Sequence, residues 1–494
     1  MRVLLVNPFS VVQKSWMPYP PHEPLGLEYL AAVASNDHEV GFLDCRASFL
    51  DRFELLPNGL FHVGASLEQV KAFITDWKPE LVGVTLPFAT QIQPVHSIVN
   101  AVKEVDKGIV TVVGGCAASC YPEQMLRENC NLDVIVVGEG EVTFKMLLSG
   151  KEMDTIDGLV YREDNKQIVQ NVPRRFIENL DTILFPRRDL VPLENYSNFR
   201  FGTGRLKRAR SLLRTRGSHY LVKRVLSKTF GGNDFRQRIP KYGLEAKLLT
   251  SRGCPFDCYF CAVHNVWSRT YRMRSAKNVL EEMELLYEKY KVRHFGIVDD
   301  NFNISKKRTI EICKGIVEHG LDVTLRADSG VYLGSLDEDV LTWMKKAGFH
   351  ELYFAVESGN QRILKEVIGK NIDLGQAKTV ATLCEGLGIV SGGFFMVGVP
   401  GETKETMNDT VDFAVSSGLD RVRLYTCQPF PGSRMFEDCR RNGWLTGDFD
   451  VSKTLVFESK SYVQTKDFCP EDVEQINRKG KALLRKQGRL DMDE

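Results

Sequence analysis

The chain has 494 residues, 43% hydrophobic and 26% charged, with 40 Gly and 19 Pro, enough for two or three buried cores, which excludes a disordered tail or a collagen-like fibre. With 65 Lys and Arg against 64 Asp and Glu the net charge is +1, so no whole-molecule field points to nucleic acid or an acidic membrane. The opening MRVLLVNPFS carries one basic residue and a short apolar run without a cleavage-site pattern, and no stretch of 18 apolar residues occurs, so a soluble, unexported, cytoplasmic protein is expected. Its 12 cysteines are spread along a long chain, which fits reduced thiols rather than a disulfide framework.

From 1 to 150, short β-branched runs alternate with helical stretches. Arg2 to Val6, Glu39 to Asp44, Glu80 to Thr85, Ile109 to Val113 and Asp133 to Val137 read as buried strands, and Leu25 to Ala34, Leu67 to Trp77 and Pro94 to Val105 as helices. Connection rules turn this series into a doubly wound α/β domain, Rossmann-like and of flavodoxin type. Ligands of such sheets sit beyond the carboxyl ends of the strands, which here carry Asn7-Pro8, Thr85-Leu86-Pro87, Gly114-Gly115 and Gly138-Glu139-Gly140-Glu141.

Residues 151–244 form a less regular connector containing a basic island. Between Arg187 and Lys241 there are 15 Lys or Arg against 3 acids, and from 200 to 241 the basic residues are interleaved with Leu, Val, Phe and Tyr. A solvated connector, a contact with an anionic membrane surface, and recognition of a phosphate, phosphonate or nucleic acid all remain open for it. A second α/β series spans 245–430, with strands expected at Ala246 to Ser251, Arg293 to Val298, Asp322 to Ala327, Glu351 to Val356, Ile389 to Val397 and Arg421 to Thr426. Between the first two lies an amphipathic helix, its inner face Val279, Met283, Leu286 and Tyr290. Six βα units suggest a partial (β/α)6 barrel of TIM type with chemistry at the carboxyl ends of its strands. Residues 431–494 make a small C-terminal extension.

Three cysteines stand out. Cys254, Cys258 and Cys261 follow the first strand of the second series with C-x3-C-x2-C spacing. Three thiolates on one loop hold an iron-sulfur cube by three of its irons and leave the fourth open to a small molecule. Zinc completed by His264 is the alternative, and simple buried thiols are a third reading.

With Phe260 before the last cysteine, this motif resembles the radical SAM superfamily, in which the three cysteines ligate a [4Fe-4S] cluster and S-adenosylmethionine chelates the open iron. Glu357-Ser358-Gly359 resembles the family's polar contact to the cosubstrate's ribose or amino group, and Gly393 to Thr403 resembles its glycine-rich strand and turn near the adenine. The resemblance implies Phe260, Glu357, Ser358 and Val399 as contacts of S-adenosylmethionine. Asp299, Asp300 and Asn301, at the end of the second strand, either meet substrate or cosubstrate or cap the helix that follows.

The N-terminal domain lacks G-x-G-x-x-G and resembles cobalamin-binding domains: Leu81 to Leu86 is similar to the strand and turn at the nucleotide tail, and Val112 to Gly115 to the glycine pair under it. That likeness implies Thr85, Leu86, Gly114, Gly115, Gly138, Glu139 and Glu141 at the cofactor. The D-x-H-x-x-G motif that supplies a lower axial histidine in many such domains is missing, with Asn7-Pro8-Phe9-Ser10 in its place. Cys116 and Cys120 read as ordinary thiols.

Together the two resemblances imply a cobalamin-dependent radical SAM methyltransferase, its barrel motifs nearest the hydroxyethylphosphonate methylase branch. A 5'-deoxyadenosyl radical removes hydrogen from an unactivated carbon of a small molecule, and methylcobalamin delivers the methyl group. An external electron donor such as flavodoxin or ferredoxin is implied, and nucleic acid is not. Cyclisation or ring rearrangement on the same architecture is the alternative activity. From another class, a metal- or redox-sensing protein with a structural zinc or cluster remains to be separated.

Overall fold

The computed structural model describes residues 1–13, 21–50, 52–163, 167–196, 243–451 and 459–491. The basic island at 200–241, and with it the membrane contact left open above, lies outside the described residues.

In the N-terminal half the strands are β1 (Arg2–Asn7), β2 (Ser10–Val12), β3 (Glu39–Asp44), β4 (Phe53–Leu55), β5 (Phe61–Val63), β6 (Leu81–Thr85), β7 (Val110–Gly114), β8 (Val134–Val136), β9 (Leu159–Arg162) and β10 (Ile168–Gln170). The helices are α1 (Leu25–Ala34), α2 (Leu67–Trp77), α3 (Ile92–Val105), α4 (Pro122–Glu128) and α5 (Gly140–Leu148). The main sheet runs β10-β9-β8-β7-β6-β1-β3, parallel from β3 to β8 and antiparallel beyond. Its parallel part has the flavodoxin-type order expected, because helices on both faces bury the apolar residues of the central strands. The sequence pattern missed β9 and β10, which extend the sheet past residue 150, and the small sheet β2-β5-β4. Strands of three or four residues leave too little alternation to be seen.

The second half contains β11 (Leu244–Leu248), β12 (Ser251–Arg252), β13 (Arg272–Met273), β14 (Val292–Ile297), β15 (Thr324–Ala327), β16 (Phe349–Glu357), β17 (Val390–Val397) and β18 (Arg421–Thr426). Six of them, in the order β11-β14-β15-β16-β17-β18 and all parallel, make an open sheet wrapped by helices, the expected partial barrel. The first of these helices, α6 (His264–Trp267), belongs to the cysteine loop, and α7 (Ala276–Lys289) buries Val279, Met283 and Leu286 as its spacing predicts. The C-terminal extension is part of the barrel core rather than an appendage: Val473, Ile476 and Leu484 join the barrel's hydrophobic cluster, and Leu490 bridges Val422 on β18.

The two halves are stitched by buried charge. Arg188 of the connector has its Nε 2.5 Å from Glu23 and 3.2 Å from Glu28 of the first half, and its Nη2 3.4 Å from Glu282 of the second. Tyr196 donates its hydroxyl to Asp44 at the end of β3, at 2.8 Å. Desolvation and the neighbouring Glu23 hold the Glu28 carboxyl well above its ordinary range.

Candidate functional site

The cysteine loop leaves β11 and is held from below by Asp299, at the carboxyl end of β14. Its carboxylate accepts the Thr250 N–H at 2.5 Å and the Thr250 and Ser251 hydroxyls at 2.6 Å each. Asp299 therefore shapes the loop, while its neighbour Asn301 donates Nδ2 to Cys254 Sγ at 3.1 Å. Gly253 turns the chain at φ +86°, where a Cβ would lie 2.3 Å from the Thr270 carbonyl oxygen, so the turn into the first cysteine requires glycine. Cys254 is buried, and Cys258 and Cys261 are half-buried. Burial pushes the Cys258 thiol up to about 11 and the Cys261 thiol to about 12, so they stay protonated until a cation displaces the proton. His264 bonds the Phe256 carbonyl through Nε2 at 2.8 Å, and among the described residues no three His, Cys, Asp or Glu groups converge on a single ion.

Around this loop stand the other barrel residues singled out from the sequence. Glu357, at the end of β16, takes a positive φ of 73° and pairs with Lys370 Nζ at 2.9 Å. Lys370 is 6% exposed, and its charge bears on Cys254 and Cys258. Nothing in the sequence marked Lys370; only the fold carries it 13 residues back to Glu357. Ser358 and Val399 have other partners: the Ser358 hydroxyl bonds Thr410 and the Asn360 N–H, and the Val399 N–H goes to Glu402 at 2.8 Å. These bonds brace the turns that carry both residues. Phe260, within the cysteine loop, is half-buried. Burial and the adjacent Asp299 push Asp300 up to about 7, and its charge bears on Cys254 and Cys261 of the barrel and on Cys116 of the N-terminal domain. Asp300 thus lies between the two halves.

On the N-terminal side, Gly115 sits at φ +117°, where a Cβ would come 2.8 Å from the Leu86 carbonyl oxygen, and the Leu86 N–H donates to the Gly114 carbonyl at 2.7 Å. This glycine and the fully buried Leu86 form a tight turn, whereas Gly114 has room, a Cβ there making only ordinary contact with Val136 at 3.6 Å. Thr85 is half-buried beside them. Gly138 is open as well, its nearest neighbour the Val266 carbonyl oxygen of α6 at 3.7 Å. The two carboxylates next to it are occupied. Glu139 Oε1 takes Arg272 at 2.7 Å and Arg252 at 3.3 Å, its Oε2 accepts the Ile177 N–H, and Glu141 pairs with Arg252. Both bind the barrel's arginines across the domain boundary. Cys120 also meets the barrel, its Sγ 3.2 Å from where a Gly432 Cβ would stand. The cysteine loop and the carboxyl edge of the first sheet therefore face one another.

Comparison with known proteins assigns a family to each half. The family model of the radical SAM superfamily matches residues 248–414, and that of the B12 binding domain matches residues 18–148. An uncharacterised methyltransferase of Pyrococcus horikoshii is 30% identical over 449 residues, 90% of this chain and 84% of the relative. The chain belongs to the radical SAM superfamily, in the group that carries a B12-binding domain. Within that group, the cytidylyl-2-hydroxyethylphosphonate methyltransferase of Streptomyces wedmorensis is 28% identical over 477 residues, 90% of this chain and 82% of its own. The structure of the radical S-adenosylmethionine methyltransferase TsrM from Kitasatospora setae, bound to tryptophan and a SAM analogue, shares the fold with a TM-score of 0.67 at 19% identity, covering 91% of this chain and 79% of that one. As a radical SAM protein with a B12-binding domain, the chain calls for a [4Fe-4S] cluster, S-adenosylmethionine and cobalamin. Its thiol triplet and the open glycines fit them.

Proposed function

We propose that the protein is a cobalamin-dependent radical SAM methyltransferase acting on an unactivated carbon of a small molecule. The observation that carries this reading is the facing of the cysteine loop and the glycine-lined edge of the N-terminal sheet across one buried seam. When bound, the cluster with S-adenosylmethionine supplies a hydrogen-abstracting radical, and cobalamin supplies a methyl group that a carbon radical can accept.

The chain's own residues then have distinct tasks. Cys254, Cys258 and Cys261 hold the cluster, with Asp299 fixing their loop and Asn301 donating to one sulfur. Glu357 and Lys370 present a carboxylate beside an ammonium, complementary to the zwitterionic amino-acid end of S-adenosylmethionine. Phe260 covers the adenine side. Gly114 and Gly138 let the cobalamin approach the backbone, and Thr85 lines its path. Asp300 faces the space between the cofactors and meets substrate or cosubstrate there. The buried ion pairs of Glu139 and Glu141 with Arg252 and Arg272 set the separation of the halves and exclude water from a site where radicals must not be quenched. Electrons come from a small donor such as flavodoxin or ferredoxin, and the protein works in the cytoplasm. Among the described residues no helix is long and apolar enough to cross a membrane.

Anaerobic reconstitution with iron, sulfide and hydroxocobalamin tests this. About four irons per chain, cleavage of S-adenosylmethionine, and a screened small molecule that gains one methyl group are the expected results. One tightly held zinc and no cleavage sink the reading and favour a structural metal site. Cys258→Ala is expected to abolish cleavage while the chain still takes up cobalamin.

A further inference from the structure

His22 belongs to none of the groups above. It stands between β2 and α1, past the carboxyl edge of the N-terminal sheet. The next residue, Glu23, is buried and ties this segment to the barrel: its Oε1 lies 2.5 Å from Arg188 Nε, and its Oε2 accepts the Lys247 N–H of β11 at 2.6 Å. His22 itself is exposed, and its ring lies 6.4 Å from that of Phe88, which is 57% exposed on the loop after β6. Nevertheless burial, and then the charges of Lys247 and Arg46, push its imidazole down to about 4. Next to Glu23, which reaches both Arg188 and β11 of the barrel, and near Phe88 on the loop after β6, His22 lines the space between the halves rather than the outer surface.

The other polar groups at this edge are engaged. Lys247 Nζ is 2.7 Å from Glu245 and 2.6 Å from Asp328, and Asp44 holds the Ala47 N–H, Asn7 and Tyr196. Glu139 and Glu141 are bound to arginines. His22 has no hydrogen-bond partner among the described residues. A neutral imidazole offers one donor and one acceptor, which matches uncharged carboxamides better than a fixed ion. The corrin ring of cobalamin carries such carboxamides around its rim.

Resting on the cobalamin reading above, we propose that His22 is a cobalamin contact, hydrogen-bonding the carboxamide rim of the corrin where it passes between the N-terminal domain and the barrel. The role is that of a positioning residue: it sets the edge of the ring against the barrel mouth. The histidine is not an axial ligand of cobalt.

Full-length protein free of cobalamin is titrated with hydroxocobalamin, comparing wild type with His22→Ala and His22→Gln. The alanine variant is expected to bind about five- to tenfold more weakly at an unchanged unfolding midpoint, and the glutamine variant, whose amide also donates and accepts, to stay within about twofold of wild type. Equal affinity of the alanine variant overturns the contact while leaving the methyltransferase reading intact. Nitrogen splitting in the EPR spectrum of bound cob(II)alamin that disappears in His22→Ala overturns it in favour of axial ligation. A wild type that takes up no hydroxocobalamin overturns the cobalamin reading itself, and this contact with it.

Discussion

Glu139 Oε1 stands 2.7 Å from Arg272 Nη1, a carboxylate of the first sheet's edge joined to a guanidinium of the barrel with both side chains buried. Arg252 shares the same oxygen and is also paired with Glu141, whose carboxyl burial alone would raise but Arg252 holds below its ordinary range. Removing one partner strands buried charge. Glu139→Ala is expected to destabilise the protein by about 3–5 kcal/mol, most of it recovered when Arg272→Met is added, as denaturant midpoints will show. A loss below about 1 kcal/mol would mean that the pair is hydrated and not a clamp.

The two neighbouring glycines at the end of β7, Gly114 and Gly115, separate a folding role from a binding one. Gly115→Ala puts a Cβ at a positive φ and against the Leu86 carbonyl, and is expected to lower the melting midpoint and cobalamin uptake together. Gly114→Ala meets nothing closer than 3.6 Å, so its melting midpoint should hold while hydroxocobalamin affinity falls. Unchanged affinity in Gly114→Ala would remove that face from the cofactor's path.

Asn301 donates to the Cys254 sulfur, and hydrogen bonds to cluster sulfurs stabilise the reduced, more negative state. Asn301→Ala should therefore make the reconstituted cluster harder to reduce, seen as a more negative midpoint in EPR-monitored redox titration with the iron content unchanged. A midpoint equal to wild type would refute that role.

Glu402 is fully buried in the turn after β17, where its Oε2 accepts the Gly398 and Val399 N–H groups at 2.8 Å each while Oε1 has no partner. Burial outweighs these bonds and pushes the carboxyl up to about 8. The folded state then binds the extra proton between the ordinary carboxylate value and about 8, so this residue's contribution to stability is present at low pH and is lost as pH rises through that window. Glu402→Gln keeps an acceptor without the charge. Its midpoint should match wild type near pH 5 and exceed it at pH 8; a difference that does not grow with pH would contradict the shift.

Local pattern was sufficient for much of this molecule. Apolar periodicity located β3, α1, α2 and β18 to the residue, since each buries one continuous face, and the C-x3-C-x2-C spacing alone singled out the cluster loop. Local pattern also named Asp299 and Asn301, although it left open whether they bind a ligand or support the loop. Tertiary structure decided what distant residues do to one another. It assigned Glu139 and Glu141 to arginines more than 110 positions away, brought Lys370 to Glu357, and set His22 near Phe88. The physical reason is that periodicity and spacing report which face of an element is buried, whereas the partner of a charged or polar group depends on which elements pack together. That choice is made by long-range burial and desolvation and leaves no repeat in the sequence.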